Sequence, residues 1–100
     1  CLAARRNDVP SEVRAYRVSG RVQGVGFRWW AARAARRLSL AGSVRNLEDG
    51  SVAVVAAGEP DALEVFERQL RSGPPGARVS DVRRETPPAE SPPGEFAILR

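Results

Sequence analysis

The sequence contains no histidine, no lysine and no methionine, and its single cysteine is Cys1. Without imidazole and with only one thiol, the chain cannot form a disulfide framework or a structural zinc site. A Ser-His-Asp triad or a Cys-His pair is excluded as well, because the base is absent. The chemistry of this chain must therefore use arginine, asparagine, carboxylates, hydroxyls or backbone groups, and we expect no metal and no cofactor.

Long apolar runs are also absent. The longest, residues 52–57, has six residues, whereas a membrane-spanning helix needs roughly 18 or more. A length of 100 residues, with 42% hydrophobic and 28% charged residues, is typical of one soluble globular domain. We expect a single domain at residues 12–100 after a frayed arm at residues 1–11, a cytoplasmic location and no membrane partner.

The positive charge comes from arginine alone and is unevenly distributed. Residues 1–50 carry ten arginines against four acidic residues, and residues 51–100 carry six against eight. Anions should therefore be drawn to the N-terminal half. Guanidinium groups suit phosphate and carboxylate geometry, although an arginine-only, alanine-rich chain is most simply a product of biased genome composition.

Hydrophobic periodicity predicts seven elements in the order βαββαββ. Asp49-Gly50 supplies hairpin turn chemistry, and the four prolines in residues 86–94 predict a loop. Val79 and Val82 are three residues apart, which breaks strict alternation and predicts a bulge or an edge strand. The predicted strands are residues 13–19, 42–47, 51–57, 77–85 and a short one from Phe96, and the predicted helices are residues 27–38 and 59–72.

This order of elements favours an α/β (α+β) fold. Two helices packed on one face of a mainly antiparallel sheet form a ferredoxin-like βαββαβ sandwich, here with a short extra C-terminal strand. The same architecture serves unrelated functions, so the function has to be argued from a site.

The first candidate site is the glycine-rich stretch between the first strand and the first helix. Gly20, Gly24 and Gly26 allow tight bends that bring backbone N–H groups toward one point, beside the positive end of a helix. Such a loop can hold an anion, although glycines are also typical of a strand-to-helix turn that binds nothing. Arg28, in the first helical turn, can add two charge-assisted bonds to a phosphate or stack against the adjacent tryptophans.

The second candidate is Asn46, at the end of a strand just before the hairpin. An asparagine at such a position is typically a turn former. In a ferredoxin-like order the strands that flank the first helix lie close together, so we expect Asn46 to lie near the glycine-rich stretch.

These two stretches, VSGRVQGVGFR at residues 18–28 and GSVRNLEDGSV at residues 42–52, resemble both signatures of the acylphosphatase family. The similarity extends over about residues 12–99. It implies hydrolysis of acyl phosphates, as small-molecule substrates, to a carboxylate and inorganic phosphate without a metal. Because nothing in the sequence demands a dimer, we expect a monomer.

The resemblance also implies roles for particular residues. Arg28 would be the catalytic arginine that binds the phosphate, and Asn46 would orient the attacking water. Ser43 stands where the family usually has tryptophan, and Trp29 or Trp30 is expected to fill that space. The phosphate cradle would be the backbone of Val22, Gln23, Gly24, Val25, Gly26 and Phe27.

Two other functions fit parts of the pattern. One is a non-catalytic phosphate-binding or carbamoyl-phosphate-binding domain, of the kind found at the head of larger maturation proteins. No partner domain or zinc-binding cysteines follow here, so we expect a free-standing hydrolase. The other is an RNA-binding ferredoxin-like module, but such sheets stack bases on strand aromatics and residues 51–57 have none. We expect no nucleic-acid partner.

Overall fold

The computed structural model describes residues 12–24, 26–87 and 96–99. The predicted arm, Val25 and residues 88–94 of the predicted loop lie outside the described residues. The elements are β1 (Glu12–Arg21), α1 (Phe27–Arg37), β2 (Ala41–Asn46), β3 (Val52–Gly58), α2 (Pro60–Ser72), β4 (Arg78–Glu85) and β5 (Phe96–Leu99).

The five strands form one sheet in the order β4-β1-β3-β2-β5. β1 pairs antiparallel with β3 and β4, and β2 pairs antiparallel with β3. β5 is the exception, because it runs parallel to β2. The predicted ferredoxin-like fold, with its extra C-terminal strand, is confirmed.

Both helices pack against the same face of the sheet and enclose the core. α1 lies over β2 and β5, and α2 lies over β4, β1 and β3. Each helix buries one stripe at helical spacing, as the sequence predicts. The buried residues are Phe27, Ala31, Ala32, Ala34 and Ala35 on α1, of which Ala32 was not predicted, and Leu63, Phe66 and Leu70 on α2. The Phe66 ring meets the Phe96 ring edge-on, with centroids 5.9 Å apart, and so ties α2 to β5.

The predicted irregularity in β4 is a β-bulge in an edge strand. Ser19 pairs with Asp81, but Gly20 pairs with Val79, so Ser80 is the extra residue. Gly20 itself lies in β1 and not in the loop that follows, which corrects the sequence-based grouping of the three glycines. A Cβ at Gly20 would collide with the Arg78 carbonyl oxygen, so this glycine allows two strands to approach closely.

Ser43 lies on the face of the sheet opposite the helices. Its neighbour Val44 is buried beneath the helices, and alternation along β2 turns Ser43 the other way, in register with Val55 and Ala97. The tryptophans Trp29 and Trp30 belong to α1, on the helix side. The expectation that either fills the space beside Ser43 is therefore wrong.

Within the part of the chain that the structure describes, neither helix has the length and apolar content needed to cross a membrane.

Candidate active site

A small cavity of about 100 Å³ lies where the β1–α1 loop, the start of α1 and the end of β2 meet. The fold thus brings Arg28 and Asn46 to one space. Four residues of the predicted cradle line it too, whereas Gln23 does not and Val25 lies outside the described residues. The described lining residues are Val22, Gly24, Gly26, Phe27, Arg28, Trp29 and Asn46.

The loop that forms one wall of this cavity depends on two left-handed glycines. Gly24 and Gly26 both have φ of 78°, and an added Cβ would meet nothing within 4 Å at either position. The backbone conformation, rather than a lack of space, therefore favours glycine here. The loop can bend sharply and enter α1 at Gly26.

The start of α1 presents uncapped backbone N–H groups at the cavity. Gly26 is the N-cap residue, no side chain in the described part of the chain caps the helix, and no acidic residue lies in its first turn. The first N–H groups of a helix have no partner within the helix and carry the positive end of its dipole. Because Gly26, Phe27 and Arg28 line the cavity, these donors are available to an anion.

Arg28 supplies the charge of the cavity. Among the described lining residues it alone is charged, and it is half-buried. Its Nη1 donates to the Leu99 carbonyl oxygen at 2.9 Å, so the end of β5 holds one side of the guanidinium. An arginine has five N–H donors in a planar fork, and this contact leaves donors free for a phosphate.

Asn46 is the last residue of β2, and its side-chain oxygen can accept a hydrogen bond from a donor in the cavity. Its Oδ1 is buried and has no hydrogen-bond partner among the described residues. An unsatisfied buried acceptor costs about 1–3 kcal/mol, and such groups are rare in folded proteins. A small donor such as water, placed in the cavity that Asn46 lines, would satisfy it.

Gln23 connects the loop to the hairpin that follows Asn46. Its Nε2 donates to the Leu47 carbonyl at 2.8 Å and to the Ser51 carbonyl at 2.9 Å, while Leu47 N donates to the same Ser51 oxygen at 2.8 Å. From the sequence, Gln23 was expected to contribute only its backbone to the phosphate cradle, and this side-chain bridge was not predicted. The one available signal was a side chain with two donors beside flexible glycines.

Asp49 stabilises the turn of the same hairpin. Its carboxylate accepts a hydrogen bond from the Ser51 hydroxyl and another, at 3.0 Å, from the Ser51 backbone N–H. These bonds, with a smaller contribution from Arg17 at 3.4 Å, hold the pKa of Asp49 below its usual value. Gln23 and Asp49 therefore both stabilise the hairpin that follows Asn46, each through its own hydrogen bonds.

Comparison with known proteins identifies close relatives. The sequence model of the family described as Acylphosphatase matches residues 14–98. An acylphosphatase from Rhizobium etli is 49% identical over 82 residues, which are 82% of this chain and 87% of that protein.

Solved structures give the same result. An acylphosphatase structure from Coxiella burnetii matches with a TM-score of 0.82 and 37% identity, covering 89% of this chain and 93% of that one. The structure of HypF from Thermococcus kodakarensis matches with a TM-score of 0.76 and 31% identity, over 87% of this chain but 12% of HypF.

Proposed function

Because the chain belongs to the acylphosphatase family of enzymes, which hydrolyse acyl phosphates, we propose that the small cavity binds the phosphoryl group and performs this hydrolysis without a metal ion. In this proposal Arg28 and the surrounding backbone N–H groups hold the phosphate, and Asn46 orients the attacking water. The size of the cavity supports the assignment, since about 100 Å³ is below the roughly 300–1,000 Å³ of pockets that enclose larger ligands.

The phosphate-binding role rests on the donors that converge on the cavity. The uncapped start of α1 and the loop around Gly24 offer backbone N–H groups, and Arg28 offers a planar fork. Phosphoryl transfer is mainly a matter of positioning and charge stabilisation. Donors that are fixed before the reaction stabilise the charge on the equatorial oxygens without reorganising.

The single observation that carries the water-orienting role is the buried Oδ1 of Asn46, which accepts no hydrogen bond from the residues that the structure describes. A water that donates to this oxygen would lie in the same cavity as a phosphoryl group held by Arg28. Fixing a nucleophile close to the reacting atom supplies a large part of a rate enhancement. Asn46 is neutral, so its contribution is orientation and not proton removal.

The reaction balances without a protein acid or base. The water oxygen forms a bond to phosphorus, and the bond from phosphorus to the carboxylate oxygen breaks with its electron pair on the leaving carboxylate. This leaving group is a weak base, with a conjugate acid of pKa about 4, and needs no proton. The water proton passes to a phosphate oxygen, since the described residues that line the cavity include no carboxylate.

The test is hydrolysis of benzoyl phosphate, followed by absorbance in buffer containing EDTA. The parent protein should be active there. Asn46→Ala should lose about 10²–10³ in kcat, the usual cost of deleting one fixed polar group at a reacting centre. Arg28→Ala should lose binding and rate together, and Arg28→Lys should not restore them, because a point charge cannot form two parallel bonds.

Arg45→Ala is the matched control. Arg45 is exposed, lies next to Asn46 and faces away from the cavity, so its loss removes the same charge without touching the proposed site. We expect its kcat to stay within about twofold of the parent, as for most surface substitutions. Circular dichroism checks that every variant folds. Near-parental turnover by a folded Arg28→Ala or Asn46→Ala would remove that residue from the mechanism.

A further inference from the structure

A second, larger cavity of about 730 Å³ lies between α1 and the end of α2. We call it the helix groove. Trp29, Arg33 and Arg37 form its α1 side, and Gln69 and Ser72 lie on its α2 side. Gly26 and Trp29 line both this groove and the small cavity. The two spaces therefore adjoin at the start of α1.

The helix groove is positively charged on one side and neutral on the other. Arg33 and Arg37 are exposed, and among the described residues neither forms an ion pair or a side-chain hydrogen bond. Arg36, between them in sequence, differs because it donates to the Phe96 carbonyl at 2.9 Å. Among the residues that the structure describes, the α2 side offers Gln69 and Ser72 and no acidic group, so the two arginines are available to an anion.

Trp29 stands at the junction of the two cavities. Its side chain is 65% exposed, whereas the adjacent Trp30 packs on Phe27 with ring centroids 5.4 Å apart. Trp29, Arg33 and Arg37 recur at intervals of four, which places them along one side of the helix. A chain leaving the small cavity thus meets an aromatic surface first and a guanidinium group next.

We propose that the helix groove binds the acyl part of the substrate and selects acyl phosphates whose acyl group ends in a second anion, such as a carboxylate. This inference rests on the proposed function, because the small cavity must hold the phosphoryl group. Four residues of helix rise about 6 Å, which is the step from Trp29 to Arg33. Five bonds of an extended chain, at about 1.2 Å each, cover the same length.

The test compares two acyl phosphates with the same number of carbon atoms. Succinyl phosphate carries a distal carboxylate, and butyryl phosphate carries a methyl group in its place. We expect the parent protein to hydrolyse succinyl phosphate with a kcat/KM about tenfold higher, because its distal carboxylate can accept a charge-assisted hydrogen bond that a methyl group cannot. In Arg33→Gln the ratio of the two kcat/KM values should fall to about one.

Arg68→Gln is the matched control. Arg68 is an exposed arginine on α2 that lies outside the helix groove, so this variant loses the same charge but keeps the groove. It should retain the tenfold preference. If Arg68→Gln lowers the preference as much as Arg33→Gln does, the preference reflects the overall charge of the protein. If the parent has equal kcat/KM values for the two substrates, the arginines of the helix groove face solvent and do not select the substrate. Either result overturns the proposal.

A binding measurement separates this inference from the proposed function. In 4-oxo-5-phosphonopentanoate and 2-oxopentylphosphonate a methylene group replaces the bridging oxygen of the two substrates, so neither compound is hydrolysed. Calorimetry on the parent should show about tenfold tighter binding of the first, and Arg33→Gln should remove the difference. If the folded parent hydrolyses neither acyl phosphate, the proposed function fails. The phosphonate affinities then decide the helix groove alone, and equal affinities overturn it.

Discussion

Replacing Gln23 by methionine tests whether the bridge between the β1–α1 loop and the hairpin positions the proposed catalytic residues, Arg28 and Asn46. Methionine has a similar shape but no donors, so both bonds from Nε2 are lost. The Leu47 and Ser51 carbonyls each keep one backbone partner, at 3.2 and 2.8 Å, so neither is left without a bond. At about 1 kcal/mol for each hydrogen bond, we expect a loss of about 2 kcal/mol in the free energy of unfolding.

The expected effects are measurable in stability and in rate. For a chain of this size, about 2 kcal/mol lowers Tm by about 8–16 °C, which thermal unfolding followed by circular dichroism measures. The bridge joins the β1–α1 loop to the hairpin after Asn46, and a displacement of about 1 Å at a reacting centre can cost about 10²-fold. We therefore expect kcat for benzoyl phosphate to fall about tenfold or more in Gln23→Met, with KM changed much less.

The chain's other glutamine provides the control for stability. Gln69 is exposed on α2 and has no side-chain bridge among the described residues, so Gln69→Met should shift Tm by no more than about 3 °C. A Gln23→Met protein with parental Tm would refute the stability argument. A Gln23→Met protein that is less stable but has parental kcat below its Tm would show that the bridge holds the fold and does not position Asn46.

Two further predictions concern the loop and the hairpin. Gly24→Ala should destabilise the protein by about 1–2 kcal/mol, because Ala avoids the left-handed region that φ of 78° requires. Gly24→Asn should cost less, since Asn enters that region more readily. Urea unfolding measures the stability of both variants, and equal losses would contradict the argument. Because the pKa of Asp49 is lowered in the folded state, its contribution to stability is complete above the unfolded pKa of about 4 and is lost as the pH falls through the folded value. Asp49→Asn should therefore show a smaller decline of Tm below about pH 4 than the parent protein. If Tm of the variant declines with pH as steeply as that of the parent, other carboxylates cause the decline.

Much of the fold could be predicted from the sequence because its signals are local. The helical stripes that contain Phe27 and Leu63 follow a period of 3.6 residues, and the spacing of Val79 and Val82 indicates the bulge at Ser80. The juxtaposition of Arg28 and Asn46 follows from the order of elements. The catalytic roles of both residues stay predictions, as do the monomeric state, the cytoplasmic location and the absence of a nucleic-acid partner.

The features that sequence analysis missed depend on contacts between distant segments. Gly20 was grouped with the loop because a glycine does not reveal whether it serves a turn or a close approach of two strands. Gln23 bonds to Leu47 and Ser51, which lie 24 and 28 positions further along the chain. Hydrophobic periodicity carries no information on pairs that are so far apart in sequence. Alternation along β2 predicts that Ser43 and Val44 lie on opposite faces of the sheet. It does not predict which of the two faces the helices cover, because that depends on tertiary packing.

The contact between Arg28 and Leu99 connects the proposed phosphate-binding arginine to the last strand of the chain. The guanidinium belongs to the second element of the chain, and the carbonyl that holds it belongs to the last strand, 71 residues later. During synthesis the β1–α1 loop and α1 are made early. Arg28 can form its hydrogen bond to the Leu99 carbonyl only after β5 has been made and has paired with β2. In the proposed mechanism hydrolysis therefore requires β5 to be in place, and the time at which activity appears during refolding would measure the docking of β5.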